Sequence, residues 1–252
     1  MTPEGRPVAL VTGAGSGIGR ATACRLAVDG YRLVLAGRRE TALAETAALL
    51  GGTESVVVAC DVTDVNAVAA MIAITRDTFG RLDVLVNNAG ISRTAALAQV
   101  TLKLWREVMA ADVESIVLVS QAALPDLLES RGSIVNVASV AGLGGDPGMT
   151  AYNAAKGAVV NLTRSLAVEL APQGVRVNAV APSLTATDAV TDIPDSDVEE
   201  FHRRIPMGRS AEPSEVADVI AFLAGQDARF VTGAVVPVDG GLRASSGQPP
   251  HR

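Results

Sequence analysis

Short apolar runs and longer segments with a helical period alternate along the whole chain. The strand-like runs are Val8–Val11, Leu33–Ala36, Ser55–Ala59, Val84–Val86, Ile134–Val137, Val175–Val180 and Ala234–Val238. The helical patterns between them are Ile18–Asp29, Glu40–Leu50, Asp64–Phe79, Thr101–Leu128, Tyr152–Leu170 and Pro213–Leu223. Strands that alternate with helices are joined by right-handed crossovers, which makes them parallel. The pattern therefore predicts an α/β fold, a doubly wound parallel sheet with helices on both faces.

The composition supports an aliphatic core in one domain. Hydrophobic residues make up 48% of the 252 residues and aromatic residues only 3%. The core therefore consists mainly of Ala, Val, Leu and Ile, which suits a parallel sheet buried on both faces. No break rich in Gly, Ser or Pro interrupts the chain before its last residues. We expect one domain at residues 7–243, between a flexible N-terminus at 1–6 and a flexible tail at 244–252.

Charge and cysteine content argue against several classes of partner. The net charge is −6 and no Lys/Arg cluster forms a polybasic patch, which argues against nucleic acid or an anionic membrane. The chain has neither an apolar leader nor an apolar run of membrane-spanning length, which predicts a cytoplasmic protein. Cys24 and Cys60 lack a CxxC spacing and nearby His ligands, so we expect free thiols and no metal site.

The first strand runs into a glycine-rich turn, Thr12-Gly13-Ala14-Gly15-Ser16-Gly17-Ile18-Gly19, and then into a helix. Glycines let the backbone turn tightly and approach a pyrophosphate, whose charge meets the N–H groups at the helix start. The spacing is TGxxxGxG rather than GxGxxG, because Ile18 stands at the last glycine position of that pattern. In the first βα unit of an α/β chain, this turn predicts dinucleotide binding and a Rossmann-like fold.

The end of the second strand favours NADP(H) over NAD(H). In dinucleotide folds an acidic residue there accepts the ribose hydroxyls, whereas a nearby arginine accommodates a 2′-phosphate. Here the strand ends Leu35-Ala36-Gly37-Arg38-Arg39, with no acid before Glu40. We therefore expect Arg38 to meet the phosphate. The alternative is that both arginines are solvated residues at the start of a helix.

Three side chains form a candidate reacting group. Tyr152 and Lys156 share one face of a helix, and Ser139 follows a buried strand, whose carboxyl end faces the ligand crevice. The serine and the tyrosine can therefore converge on one carbonyl oxygen. A tyrosine hydroxyl, with a reference pKa of about 10, is a slow acid–base group at neutral pH, and a nearby ammonium favours its phenolate. The group predicts hydride transfer between a nicotinamide and a carbonyl or alcohol, with His202 and His251 solvated rather than catalytic.

In order and spacing, these motifs resemble the classical short-chain dehydrogenase/reductase family from about Pro7 to Leu242. The matching segments are Thr12–Gly19, Asp61-Val62, Asn87-Asn88-Ala89-Gly90, Ser139 with Tyr152-x-x-x-Lys156, Asn178–Pro182, Val231-Thr232-Gly233 and Val238–Gly241. The resemblance implies a seven-stranded parallel sheet. It also implies homotetramers or homodimers packed through the two long helices that flank the fifth strand.

The resemblance further implies how the cofactor is bound. Asp61 would contact the adenine amino group, with Val62 beside the ring. Lys156 would also bind the nicotinamide ribose, and Thr187 would anchor the carboxamide. The predicted cofactor-binding set is Gly13, Ser16, Gly17, Ile18, Gly19, Arg38, Asp61, Val62, Asn88, Ala89, Gly90, Tyr152, Lys156 and Thr187.

Two positions depart from the family's pattern. Pro182 is followed by Ser183, where the family often has glycine. The fourth catalytic position, normally an asparagine whose backbone carbonyl helps hold a water near the lysine, is Asp112 in this chain. Asp112 can preserve the backbone contact, and we hypothesise that its carboxylate lies near Lys156, raises the pKa of the lysine and alters the pH dependence of Tyr152. The alternative is a neutral substitution at a tolerant position.

The leading prediction is an NADP(H)-dependent oxidoreductase that interconverts a carbonyl and a secondary alcohol on a 3-oxoacyl group, a small ketone or a sugar. The alternatives are an NAD-dependent alcohol or sugar dehydrogenase and a dinucleotide-binding protein without turnover. Three segments are expected to select the substrate: Ser92–Gln99, Ala141–Thr150 and Ser183–Pro206. The last is polar and acidic and follows a carboxyl strand end, which predicts a substrate lid at about 183–206. A surface excursion without function is the alternative.

Overall fold

Seven parallel strands form one sheet in the computed structural model, which describes residues 5–187 and 193–245. The strands are β1 (Val8–Thr12), β2 (Arg32–Gly37), β3 (Ser55–Ala59), β4 (Val84–Asn87), β5 (Ser133–Val137), β6 (Arg176–Pro182) and β7 (Val235–Val238). Their order is β3-β2-β1-β4-β5-β6-β7. Because the order reverses between β1 and β4, a crevice opens at the carboxyl ends of these two strands. The predicted fold class is confirmed.

Helices cover both faces of the sheet. They are α1 (Gly17–Val28), α2 (Glu40–Ala48), α3 (Val65–Phe79), α4 (Leu102–Met109), α5 (Ser115–Ser130), α6 (Thr150–Leu170), α7 (Asp195–Arg204) and α8 (Pro213–Ala224). On one face, Leu26, Leu43 and Ile220 pack α1, α2 and α8 against the strands. On the other face, α3, α5 and α6 contribute apolar side chains to a second aliphatic core. The strands are therefore buried on both sides, as the aliphatic composition predicts.

Local signals determine where individual helices begin and end. The Asp64 carboxylate accepts hydrogen bonds from Asn66 N (2.8 Å) and Ala67 N (3.4 Å), so α3 begins directly after it. The helix ends at Gly80, whose φ of +70° lies in the left-handed region. Both features are common at helix ends, because the side-chain cap satisfies free N–H groups and glycine adopts this φ without strain.

Two helical segments differ from the sequence prediction. The pattern Thr101–Leu128 is not one regular helix, because a π-helical segment, Ala110–Glu114, joins α4 to α5. The predicted lid contains α7, which buries no residue and therefore lacks the apolar stripe that reveals a helix in a sequence. Residues 188–192 of the lid, 1–4 of the N-terminus and 246–252 of the tail lie outside the described residues. The domain boundaries stay predictions.

Candidate active site

A cleft of about 660 Å³ lies at the carboxyl ends of β1, β2 and β4. This volume is in the usual range for small-molecule sites. The predicted cofactor residues in its lining are Gly13, Ser16, Gly17, Ile18, Arg38, Asp61, Val62, Asn88, Ala89, Gly90 and Thr187. The remaining three, Gly19, Tyr152 and Lys156, are not part of this lining. The structure thus brings together, in one cleft, residues that the sequence places after five different strands.

Three glycines of the turn have no room for a side chain. A Cβ on Gly13, whose φ is +67°, would lie 2.7 Å from Asn88 Nδ2, and one on Gly17 would lie 2.9 Å from Thr187 Cγ2. A Cβ on Gly19 would collide with the carbonyl oxygen of Gly13, so this glycine supports the turn from beneath. The first turn of α1 carries no acidic residue. Backbone N–H groups and the helix dipole therefore face the cleft without a competing negative charge, which fits a pyrophosphate.

Thr12 and Asn88 hold the turn against the central strands. The Thr12 hydroxyl donates to Val86 O (3.2 Å) and accepts the N–H groups of Asn88 and Ala89, both at 3.0 Å. Asn88 Nδ2 donates to Thr12 O at 2.8 Å. These bonds fix the spacing between β1 and β4. The bridging role of Thr12 was not predicted. A hydroxyl at the end of an apolar strand was the available signal.

The end of the cleft near β2 and β3 carries charges of both signs. Arg38 and Arg39 line it from the end of β2, and Arg39 Nη2 lies 3.5 Å from Ser16 Oγ. Opposite them, hydrogen bonds from the Thr63 N–H and hydroxyl lower the pKa of Asp61, and the charge of Arg38 lowers it further. Asp61 is therefore a carboxylate acceptor at neutral pH. Arg39 is a second candidate phosphate ligand, whereas the sequence analysis favours Arg38.

Ser139, Tyr152 and Lys156 occupy adjoining elements at the carboxyl end of β5. Ser139 begins a short 3₁₀ turn, Val140–Gly142, and its hydroxyl accepts the Ala141 N–H at 3.2 Å. A Cβ on Gly142 would collide with the Lys156 carbonyl oxygen, so this turn lies directly on α6. Lys156 Nζ lies 5.6 Å from the centre of the Tyr152 ring and donates to Val137 O at 3.1 Å. The ammonium is therefore held between the strand end and the tyrosine.

Asp112 lies in the π-helical segment, and its carboxylate contacts this lysine. Its Oδ2 is 3.2 Å from Lys156 Nζ, and the two side chains are 0% and 7% exposed. Burial by itself lowers the pKa of Lys156, but Tyr152 and then Asp112 outweigh it, and the pKa is raised above its ordinary value. The contact hypothesised from the sequence is present. π-Helical segments often occur at functional sites because they displace a backbone turn and its side chains.

A buried polar chain beneath the site was not predicted. Asn87 Nδ2 donates to Ser120 Oγ (3.1 Å) and to Asn136 Oδ1 (2.9 Å), and Asn136 Nδ2 donates to Thr163 Oγ1 (3.0 Å). The chain links α5, β4, β5 and α6, the elements that position Ser139 and Lys156. An asparagine inside the apolar strand Ser133–Val137 was the available signal, since a buried amide requires partners.

The turn after β7 connects two of the segments expected to select the substrate. Asp239 accepts the Gly241 N–H (3.0 Å) and the Arg243 N–H (2.8 Å), and Arg243 Nη2 donates to Leu143 O (2.6 Å). Met207, just after the predicted lid, donates its N–H to Gly240 O at 3.1 Å. The lid end and the loop at 141–150 are therefore tied to one short turn.

His202 contacts the segment before α8 and not the reacting group. The imidazole of His202, expected to be solvated, is partly exposed, and its Nε2 accepts the Ser210 N–H at 3.1 Å. It ties α7 to the segment before α8. His251 lies outside the described residues. Within the described ranges, no group of three or more His, Cys, Asp or Glu residues could hold a metal ion, and both cysteines are free.

Comparison with known proteins gives consistent similarities over almost the whole chain. Residues 13–243 match a family model described as enoyl-(acyl carrier protein) reductase. Meso-2,3-butanediol dehydrogenase of Serratia marcescens is 46% identical over 242 residues, 96% of each chain. A 3-oxoacyl-[acyl-carrier-protein] reductase of Thermotoga maritima is 40% identical, covering 96% of this chain and 99% of that protein. Among solved structures, an actinorhodin polyketide ketoreductase variant with NADPH is 36% identical with a TM-score of 0.91, covering 96% and 99% of the two chains.

Proposed function

Because the chain belongs to the classical short-chain dehydrogenase/reductase family, we propose that it is an NADP(H)-dependent reductase of small or carrier-bound carbonyl compounds. It is an oxidoreductase that acts on CH–OH and C=O groups. One contact most directly supports carbonyl reduction with Tyr152 as the proton donor. The buried Lys156 ammonium lies beside the Tyr152 ring, on the helix against which the Ser139 turn packs, so a proton donor and an oxygen-binding hydroxyl are available together.

The mechanism assigns one task to each side chain. A reduced nicotinamide bound in the cleft would supply the hydride for the carbonyl carbon. Ser139 holds the substrate oxygen by hydrogen bonding, and Tyr152 donates its proton to that oxygen as the alkoxide charge develops. Lys156 stabilises the tyrosine once the proton has left, because an ammonium favours a nearby phenolate. Val137 O keeps the ammonium in place through its 3.1 Å hydrogen bond. In the reverse direction the same groups take a proton from an alcohol.

The charge at the end of β2 supports NADP(H) as the cofactor. Gly37 stands where a ribose-binding acid would repel a phosphate, and Arg38 and Arg39 both line this end of the cleft. Arginine binds phosphate oxygens through several N–H donors at once. The lining at the glycine turn fits the shared pyrophosphate, so the arginines decide between the two cofactors. An NAD-dependent enzyme of the same class is the alternative.

Arg38→Ala is expected to lower kcat/KM with NADPH by about 10- to 100-fold and to leave the value with NADH nearly unchanged. A hydrogen bond to a charged group contributes about 1.5–3 kcal/mol, and each 1.4 kcal/mol is about tenfold. Single-turnover hydride transfer from each cofactor, at matched concentrations, measures the effect. The carbonyl panel includes a vicinal hydroxyketone, a cyclic ketone and a 3-oxoacyl thioester.

Two arginine variants make this measurement specific. Arg39→Ala tests whether the neighbouring guanidinium shares the phosphate, in which case both variants lose NADPH preference. Arg229→Ala removes an exposed arginine near the opposite edge of the sheet and is expected to change neither cofactor's kcat/KM. A parent enzyme that prefers NADH would contradict the cofactor assignment. Measurable binding of both cofactors without turnover on any carbonyl would favour a binding protein.

The helical run Leu102–Ser130 is long and apolar enough, by length and composition, to cross a membrane. It packs, however, against α3, α6 and β4, and it carries Asp112 to the reacting group.

Exposed apolar side chains remain on α5 at Val117 and on α6 at Val168, which are 44% and 79% exposed. We infer that the exposed sides of α5 and α6 join copies of the chain into a homotetramer or homodimer. We also propose that this assembly is cytoplasmic.

Val117→Glu is expected to lower the molar mass in solution, because a symmetric interface places the new charge against its own copy. Light scattering at several protein concentrations measures the mass. Val28→Glu is the matched control, since Val28 is 84% exposed on α1 and outside the proposed interface. A monomeric parent protein, or equal masses for the parent and the Val117 variant, would contradict the proposed interface.

A further inference from the structure

Asp112 is a buried carboxylate that neither hydride transfer nor proton transfer requires. Its Oδ1 accepts the Ile91 N–H at 2.7 Å, and a Cβ on Gly90 would lie 3.1 Å from the same oxygen. Its Oδ2 receives no hydrogen bond of good geometry from the described residues and faces Lys156 Nζ at 3.2 Å. Burying a carboxylate is costly unless a cation balances it. The charge of Asp112 is therefore balanced by Lys156.

We propose that Asp112 is a positioning residue that neutralises the charge of Lys156, so that the Tyr152 hydroxyl keeps its proton to higher pH and acts chiefly as a proton donor. The proposal rests on the proposed function, because it assumes that Tyr152 is the acid–base group. It deepens that function by assigning the direction that the site favours. Carbonyl reduction needs the protonated hydroxyl, whereas alcohol oxidation needs the phenolate.

The electrostatic reason is the distance between the two charges. A lone ammonium beside a tyrosine favours the phenolate. A carboxylate 3.2 Å from that ammonium makes the pair neutral, so the field at the tyrosine oxygen is that of a dipole and is weaker. The low dielectric of a buried site makes both interactions larger than in water. The hydrogen bond from Lys156 Nζ to Val137 O, at 3.1 Å, helps to hold the ammonium in this position.

Other charged groups on the surrounding elements do not replace Asp112. On the loop after β4, on α4 and on the π-helical segment, the other described charged residues are Arg93, Lys103, Arg106, Glu107 and Glu114, all exposed. On α5 and α6 they are Asp126, Glu129, Arg164 and Glu169. Asp126 pairs with Arg76 at 2.8 Å, and the other three are exposed. On β6, Arg176 donates to carbonyl groups at the end of α8. On the segment after β5, Asp146 is exposed, and Arg243 donates to Leu143 O.

The test uses the fact that the chain has only two tyrosines. Tyrosinate absorbance is titrated in the cofactor-free protein, with Tyr152→Phe and Tyr31→Phe assigning the two steps. Burial, with Asp83 and Asp29, raises the pKa of Tyr31, and the Tyr31→Phe protein isolates the Tyr152 step. Asp112→Asn keeps the side-chain shape and an oxygen for the Ile91 N–H but removes the charge. It is expected to lower the Tyr152 midpoint by about one pH unit.

Controls separate charge from local packing. Glu114→Gln removes an exposed carboxylate from the same segment and is expected to leave the midpoint unchanged. Asp112→Ser removes the same charge with a smaller side chain and is expected to lower the midpoint as Asn does, so a folding defect in one variant leaves the other as the test. Circular dichroism checks the fold of each. A midpoint unchanged or raised in the folded neutral variants would overturn the proposal.

Turnover adds a second readout. In Asp112→Asn, the pH at which the reduction rate falls and the pH at which the oxidation rate rises are both expected to move down with the titration midpoint. Parent protein that titrates as expected but turns over no carbonyl would overturn the proposed function and leave the Asp112–Lys156 compensation standing. Active parent protein whose Tyr152 midpoint is the same in Asp112→Asn would overturn the Asp112–Lys156 compensation and leave the proposed function standing.

Discussion

Replacing Tyr152 by Phe is expected to lower kcat for carbonyl reduction about a thousand-fold, while NADPH affinity changes only a few-fold. The substitution removes the hydroxyl that donates the proton and keeps the ring beside Lys156 Nζ. Tyr152 is not part of the cleft lining around the glycine turn and Arg38, so most of the cofactor's contacts remain. Single-turnover hydride transfer measures the chemical step, and quenching of protein fluorescence by NADPH measures binding.

Tyr31→Phe is the matched control, because Tyr31 is the other tyrosine of the chain and lines a different cavity, at the amino ends of the strands. It is expected to transfer hydride at the parent rate. A Tyr152→Phe enzyme that stays within about tenfold of the parent rate would mean that another group, or water, donates the proton. A loss of NADPH binding equal to the loss of rate would assign Tyr152 to binding instead.

Lys156→Met is expected to lower the free energy of unfolding by about 3 kcal/mol or more, and to abolish turnover. The methionine side chain is of similar length, but the Asp112 carboxylate, which is 0% exposed, then has no cation. Removing one partner of a buried ion pair costs about 3–5 kcal/mol, because the other charge stays buried without compensation. Chemical denaturation of the cofactor-free protein measures the loss, at one protomer concentration, since an oligomer's stability depends on it.

The double variant Lys156→Met/Asp112→Asn separates the charge from the packing. It removes both charges together, so it is expected to regain most of the lost stability while remaining inactive. With the stability of the Asp112→Asn single variant, the double-mutant cycle gives the interaction energy of the pair. Equal stability of Lys156→Met and the double variant would show that the loss comes from packing or from the lost bond to Val137 O. The buried carboxylate without a cation would then cost little stability.

The parallel sheet and the glycine turn were predictable because each depends on residues that are close in sequence. An apolar run with β-branched residues fits a buried strand. Gly13 and Gly17 have positive φ, and a Cβ on Gly19 would collide with the nearby Gly13 carbonyl, so these glycines are marked by the local backbone path. The π-helical segment at Ala110–Glu114 was not predictable, because its residues are as compatible with an α-helix. The helix α7 was missed for a related reason. It buries no side chain, so no apolar period marks it.

The sequence by itself therefore determined the alternation of strands and helices and the glycine turn, since these follow from local periodicity and from residue types at close spacing. It also predicted which side chains react. Only the tertiary structure decided which distant side chains meet. It placed Asp112 against Lys156, Asn136 against Thr163 and Arg243 against the Leu143 carbonyl. The physical reason is that packing in three dimensions sets distances between segments that no sequence pattern encodes, and the interactions of buried charges depend on those distances.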